Sequence, residues 1–220
     1  VTRAAMENSV KKVIALSTDK ASNPINLYGA TKLASDKIFV ASNHFYSRKK
    51  VSFSVVRYGN VAGSRGSVIP FFIDLLKNKK KFLPITDKRM TRFFITLDES
   101  VKFVVKCFEK MQGGEIFIPK ITSVKITELA SVMAPNVKQK IIGIRAGEKI
   151  HETLITEEEN NVFEYQDGYF ISPHFTNNNI KGVRAKKIDG FKISSDNKKL
   201  ITGKKRILQL INAAKKELEE

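Results

Sequence analysis

VIALSTDKASNPINLYGATKLASDKIFVASNHFYSRKKVSFSVVRYGN, residues 13–60, decides the fold. Its opening run, Val13-Ile14-Ala15-Leu16-Ser17, is short and apolar, as a strand covered on both faces of a parallel sheet requires. The carboxyl end of that strand is Ser17-Thr18-Asp19-Lys20, and Asn23-Pro24 marks a turn. Over residues 28–46, Ala34, Ile38, Ala41 and Phe45 recur at helical spacing. Residues 51–57 are apolar and β-branched, a second strand that runs into Tyr58-Gly59-Asn60. Strand, helix, strand in this order predicts a right-handed crossover in an α/β, Rossmann-like, doubly wound parallel sheet, whose ligands bind at the carboxyl ends of the strands.

Upstream, the first residues read as the end of a helix. Downstream of Gly63-Ser64-Arg65-Gly66-Ser67 the pattern becomes less regular, which predicts a smaller C-terminal substrate-binding lobe. Residues 71–76, 127–133 and 204–217 read as helices, and 91–95, 115–118 and 139–144 as strands. Val101, Val104, Val105 and Phe108 mark a further helix, with Asp98 placed to cap it. Residues 166–190 have weak periodicity and read as loop-rich. We therefore expect residues 1–62, with 92–118 returning, to form the dinucleotide-binding domain, and residues 63–91 and 119–220 the lobe. No internal repeat is evident.

A chain of 220 residues, 42% hydrophobic, can bury a substantial core. No apolar run approaches the ~18 residues of a membrane span, and the opening Val1-Thr2-Arg3-Ala4-Ala5 is not a signal-peptide core, so the expected compartment is the cytoplasm. The single cysteine, Cys107, reads as a small hydrophobe on an apolar helix face with Val104, Val105 and Phe108. The formal charge of +17 raises nucleic acid as a partner. Its basic residues fall in short groups at element ends (Arg48, Lys49 and Lys50; Lys79, Lys80 and Lys81; Lys204, Lys205 and Arg206) without interleaved aromatics. That is a solvated lysine-rich surface, which favours an anionic small molecule over nucleic acid. His44, His151 and His174 have no metal-ligand spacing, and no metal is expected.

Tyr28 and Lys32 lie four residues apart on one predicted helix, so both can act on the same ligand. An ammonium one turn from a phenol favours the deprotonated phenol, which can then take a proton from a substrate hydroxyl. Tyr-x-x-x-Lys alone is a common surface pair. Its context adds weight: Thr18 stands at a strand end ten residues before Tyr28, and Asn60 at the end of the next strand.

Ser17-Thr18-Asp19-Lys20-Ala21, the run Asn23-Pro24 to Lys32, and Arg57-Tyr58-Gly59-Asn60-Val61 resemble the inverting UDP-N-acetylglucosamine 4,6-dehydratases of the extended short-chain dehydrogenase/reductase family. The same family is matched by the stretches at residues 64–70, 89–93, 146–152 and 191–197, so the likeness spans most of the chain. It implies an NADP-dependent lyase acting on a UDP-sugar in pseudaminic acid biosynthesis and flagellin glycosylation, and a homo-oligomer. It implies catalytic roles for Thr18, Asp19, Lys20, Tyr28 and Lys32, and cofactor contacts for Tyr28, Lys32, Tyr58, Asn60 and Val61. Substrate contacts fall to Asn60, Arg65, Arg92, Arg145 and Glu148, with arginine suited to the diphosphate. Glucose-nucleotide dehydratases have an Asp-Glu pair where this chain has Asp19-Lys20, and simple 4-epimerases lack the acid/base pair. Family members also open with a strand and a Gly-rich turn that cradles the cofactor pyrophosphate. No G-x-G-x-x-G run precedes Val13, so the chain is expected to be a C-terminal portion, its sheet incomplete at the N-terminus.

The implied chemistry is oxidation at C4 assisted by Tyr28, Lys32 and Thr18, then loss of water across C5–C6 with Lys20 as base and Asp19 as acid, and return of the hydride to C6. Two rivals stay open: a nucleotide-sugar epimerase on the same fold, and a non-catalytic subunit that binds a partner, or nothing, through its lysine-rich surface.

Overall fold

The computed structural model describes residues 1–45, 51–172, 180 and 182–219. In chain order its elements begin with helix α1 (Thr2–Glu7), β1 (Lys12–Thr18), a 3-10 turn (Asp19–Ala21), α2 (Leu27–Phe45), β2 (Ser52–Tyr58) and β3 (Asn60–Val61). Next come α3 (Val68–Lys77), β4 (Phe82–Ile85), β5 (Thr91–Ile95), α4 (Leu97–Lys110), β6 (Ile116–Pro119), β7 (Thr122–Lys125) and α5 (Ile126–Met133). The chain ends with β8 (Lys138–Ile141), β9 (Thr153–Ile155), β10 (Val162–Tyr165), β11 (Gly168–Ile171), β12 (Lys186–Ile188), β13 (Ile193–Ser194) and α6 (Lys204–Glu219). Contacts group the chain into two units. Unit 1 is Val1–Tyr58, Val101–Lys120 and Thr153–Ile193; unit 2 is Gly59–Ser100, Ile121–Glu152 and Ser194–Glu220.

Unit 1 is built on a sheet of order β1-β2-β6-β11-β10-β12. The first three strands are parallel, as the apolar runs require, and the last three are added antiparallel. The β1–β2 register pairs Ser17 with Arg57 and Thr18 with Tyr58, so the two carboxyl ends lie side by side. Burying each large side chain of this layer contributes about 1.5–3 kcal/mol.

Helices α2 and α4 bury other faces than their apolar periodicity suggests. On α2, Ala34 and Ile38 are exposed, and the inward positions are Gly29, Asp36, Phe39, Ser42 and Asn43. Asn43 is there because it completes the backbone of β2: its amide donates to Phe53 O at 2.8 Å and its carbonyl accepts Phe53 N–H at 2.9 Å. On α4, Val101, Val105 and Phe108 are exposed. Phe103, Cys107 and Met111, four residues apart, pack instead on Val56, Phe117, Phe163, Tyr165 and Phe170. The expectation for Asp98 is also corrected. Thr96 Oγ1 accepts the Glu99 amide at 3.2 Å and Glu99 Oε2 accepts the Thr96 amide at 3.0 Å, a reciprocal capping box whose cap lies two residues before Asp98.

Residues 166–190 hold two strands, β11 and β12, rather than loop alone; residues 173–179 and 181 lie outside the described part, as do Arg48, Lys49, Lys50 and His174. These strands are too short for a period-2 signal. Gly168 fits because a Cβ there would stand 2.2 Å from Ile118 O on the neighbouring strand. The expected boundaries at 62, 91 and 118 shift accordingly. Residues 92–100 group with unit 2, since β5 pairs with β3 and β7, and residues 153–193 group with unit 1, since β11 pairs with β6.

Unit 2 has the sheets β3-β5-β7 and β4-β8. Its core joins Ile69 and Phe72 of α3, Leu129 and Ala130 of α5, and Ile207, Leu210, Ile211 and Ala214 of α6, the last four at the spacing of one helix face. Gly59 opens this unit where only glycine fits, since a Cβ would meet Phe93 Cβ at 2.3 Å. Among the described residues no helix is long and apolar enough to cross a membrane, and no group of three or more His, Cys, Asp or Glu could hold a metal ion.

Candidate active site

β1 ends at Thr18, and the chain turns at once into the 3-10 turn. Thr18 caps that turn: its Oγ1 accepts the Lys20 amide N–H at 3.3 Å and donates to Asp19 Oδ1 at 2.9 Å. The Lys20 ammonium donates to the same oxygen at 3.0 Å. Both bonds fall on Oδ1, so the buried Asp19 Oδ2 is left without a hydrogen-bond partner among the described residues. Asp19 is 0% exposed, while the Lys20 side chain is 31% exposed. Leaving a buried carboxyl oxygen unbonded is costly, so this atom is poised to bond something the turn itself does not supply.

Asn26 starts α2: its Oδ1 accepts the Gly29 amide at 2.8 Å and its carbonyl the Ala30 amide at 3.0 Å. Tyr28 therefore sits in the first turn, 53% exposed, with Lys32 one turn on. Lys32 Nζ donates to Leu16 O at 3.1 Å, which ties the ammonium to the strand that ends in Thr18. Gly29 carries no side chain to hold the helix off the turn, and it packs directly on Lys20 O. Tyr58, the register partner of Thr18, is half-buried; burial pushes its phenol up, and the nearby Tyr28 phenol adds to the effect. Thr18, Asp19, Lys20, Tyr28, Lys32 and Tyr58 thus belong to one strand-end cluster in unit 1.

The remaining expected residues belong to unit 2. Asn60 and Val61 form β3 and pair with Phe94 and Ile95. Arg65 and Arg145 are exposed. Arg92 is buried, and its guanidinium donates to Thr91 O (2.8 Å), Ile150 O (2.9 Å) and Lys149 O (2.7 Å), with Glu148 at 3.6 Å and Glu152 at 3.8 Å. Three of the five N–H donors of this fork are bonded to backbone carbonyls of the chain, so Arg92 clamps the loop that carries Glu148. Glu148 keeps its Oε2 buried without a hydrogen-bond partner among the described residues.

Three features went unread in the sequence. Arg57 is 1% exposed and ion-paired with Asp36 (3.4 Å) and Glu159 (2.8 Å); a lone arginine in an apolar strand was the available signal. In unit 2, Thr91 Oγ1 lies 2.8 Å from His151 Nδ1 and 2.6 Å from Ser195 Oγ, a chain of buried hydroxyls ending on an imidazole. The contact of Gly29 with Lys20 O had no sequence signal.

The chain is similar to known proteins along most of its length. The family model described as polysaccharide biosynthesis protein matches residues 1–173. A UDP-N-acetylglucosamine 4,6-dehydratase (inverting) from Campylobacter jejuni is 55% identical over 219 residues, which is 95% of this chain and 66% of that protein. A UDP-glucose 4-epimerase from Rickettsia bellii is 45% identical over 177 residues, 79% of this chain and 52% of the relative. Among solved structures, Pen from Bacillus thuringiensis superposes with a TM-score of 0.86 at 33% identity, covering 98% of this chain and 66% of that one. The chain spans just under two thirds of the length of the dehydratase it matches. With the parallel β1-β2-β6 order and the strand-end cluster already established, this coverage places the chain in the polysaccharide biosynthesis protein family, on a Rossmann-type α/β fold.

Proposed function

We propose that the protein is a C5-inverting UDP-N-acetylglucosamine 4,6-dehydratase that works with a bound nicotinamide dinucleotide, NADP. The observation that carries this reading is the Asp19 carboxyl: buried, with Oδ1 bonded to Thr18 and Lys20 and Oδ2 without a partner among the described residues. The donor set suits the nicotinamide end of such a cofactor, with a phenol, a tethered ammonium and a second phenol around one strand end.

When bound, the nicotinamide supplies reversible two-electron chemistry at the sugar. Tyr28 accepts the C4 hydroxyl proton, with Lys32 supplying positive charge one turn away and Thr18 bonding the same oxygen. The resulting 4-ketone acidifies C5–H. Transfer of the shared proton from the Lys20 ammonium to Asp19 gives the amine that removes the C5 proton and the acid that protonates the C6 hydroxyl, which leaves as water. A proton returned to C5 on the opposite face, with the hydride taken from C4 given back at C6, completes the balance and inverts that centre. Asn60 and Val61 would line the cofactor, and Arg65, Arg145 and Glu148 the UDP group. We further assign the exposed stripe of α2 to a second copy of the chain, and the protein to the cytoplasm.

The epimerase reading draws on the Rickettsia bellii relative. It gives no task to an acid and an amine beside the phenol, and the dehydratase reading gives each one. Incubating the purified protein with UDP-N-acetylglucosamine and NADP should yield a 4-keto product lighter by one water. Lys20→Ala should stop that loss of water yet still permit reduction of the cofactor; an enzyme whose turnover survives Lys20→Ala is not this dehydratase.

A further inference from the structure

Arg57 is the largest fully buried side chain among the described residues, and its four partners come from four segments of unit 1. Nη1 donates to Ser22 Oγ at 2.9 Å, Leu154 O at 3.0 Å and Glu159 Oε1 at 2.8 Å; Nη2 lies 3.4 Å from Asp36 Oδ2. Ser22 caps the turn that carries Asp19 and Lys20, and its hydroxyl donates on to Leu154 O at 3.2 Å. Asp36 stands one helical turn beyond Lys32 on α2. Leu154 lies on β9, and Glu159 closes the next loop by accepting the Thr156 amide at 3.0 Å. Arg57 itself is the neighbour of Tyr58 and the register partner of Ser17.

This cluster is a poor device for stability. Arg57 Nε is buried without a hydrogen-bond partner among the described residues, and burial pushes the Asp36 carboxyl up in spite of the arginine beside it. Buried ion clusters of this kind are often matched or bettered by apolar side chains of similar volume, so what they supply is a defined geometry. Here the geometry concerns two pieces that meet only through tertiary contact: the turn bearing the acid and the amine, and the helix bearing the phenol and the ammonium.

We propose that Arg57, with Asp36 and Glu159, is a positioning cluster that sets the Asp19–Lys20 turn against the Tyr28–Lys32 face of α2. Arg57 touches no reacting atom; it acts through Ser22 on the turn and through Asp36 on the helix. The inference rests on the dehydratase reading, so its test needs one measurement that requires no turnover.

The test compares wild type with Arg57→Met/Asp36→Asn/Glu159→Gln, which removes all three charges together and leaves none buried and unpaired. The variant should keep a wild-type melting temperature to within a few degrees, while amide exchange at residues 19–22 quickens about tenfold or more. Its kcat on UDP-N-acetylglucosamine should fall about tenfold or more with KM changed less than about twofold, because misplaced groups lose transition-state contacts and keep ground-state binding. Arg57→Lys, which keeps the charge and loses the planar fork, should give the same exchange pattern, and it serves in place of the triple variant if that fails to fold. Unchanged exchange at residues 19–22 overturns the proposal, and so does quickened exchange with wild-type kcat. A wild-type protein that does not turn over the sugar nucleotide overturns the dehydratase reading instead, while the exchange measurement still decides whether the cluster anchors the turn.

Discussion

Gly29 lies against the carbonyl of Lys20 so closely that a Cβ at residue 29 would stand 2.4 Å from that oxygen, and 3.0 Å from Pro24 Cβ. The obstacle is backbone, which cannot swing aside as a side-chain tip would. Gly29→Ala must therefore push α2 and the 3-10 turn apart by about 1 Å, a displacement that can cost on the order of 10²-fold in rate. Steady-state kinetics on the folded variant measures this; a kcat within about threefold of wild type would show that the approach of helix to turn does not matter.

Tyr28 offers a cleaner test of chemistry, because it is more than half exposed. Tyr28→Phe should leave thermal stability within about 0.5 kcal/mol of wild type and lower kcat by roughly 10²–10⁴. Lys32→Met should also lower kcat, and in addition free the Leu16 carbonyl from its 3.1 Å bond. Substantial turnover by Tyr28→Phe would remove the phenol from the mechanism.

Arg92 separates two roles by where the damage falls. Its guanidinium is committed to the carbonyls of Thr91, Lys149 and Ile150, so Arg92→Lys should destabilise the fold by about 2–3 kcal/mol, read as a drop in the urea midpoint. A diphosphate ligand would behave otherwise, with KM for the sugar nucleotide rising at unchanged stability.

Cys107 carries a pH prediction. Burial pushes its thiol from 9.0 up to about 12. Between those values the unfolded chain has lost the proton that the folded chain still holds, so this group lowers stability as pH rises through the window. Cys107→Ala should flatten the alkaline loss of stability, though not abolish it, because burial also pushes Tyr165 up. At pH 8 a thiol reagent should modify wild-type Cys107 only after denaturant is added; rapid labelling of the native protein would contradict its burial.

Much of the fold was legible because it depends on local pattern. The apolar runs at β1 and β2, the helical spacing of α2 and α6, and the turn at Asn23-Pro24 lie where the sequence predicts them. The short strands β4, β7, β9, β12 and β13 were not legible, since two to four residues carry no period. Faces proved harder than elements. Ile38 and Val105 follow the helical rhythm yet are exposed, while Asp36 and Asn43 are turned inward, because Arg57 and the Phe53 backbone satisfy them there. A polar residue can occupy a buried face when its partner arrives from elsewhere in the chain, and periodicity is blind to that partner.

The candidate site divides in the same way. That Thr18, Asp19 and Lys20 sit at a strand end, and that Tyr28 and Lys32 share a helix face, follows from the sequence by itself, because each depends on spacing within one element. Which oxygen of Asp19 is left without a partner among the described residues, how near α2 comes to Lys20, the burial of Arg57 and the grip of Arg92 on the carbonyls of Lys149 and Ile150 were decided only in three dimensions. The last two are contacts between segments far apart in sequence and the first two between near neighbours whose approach no periodicity fixes; the energy of each comes from pairing or desolvating groups that no local pattern brings together.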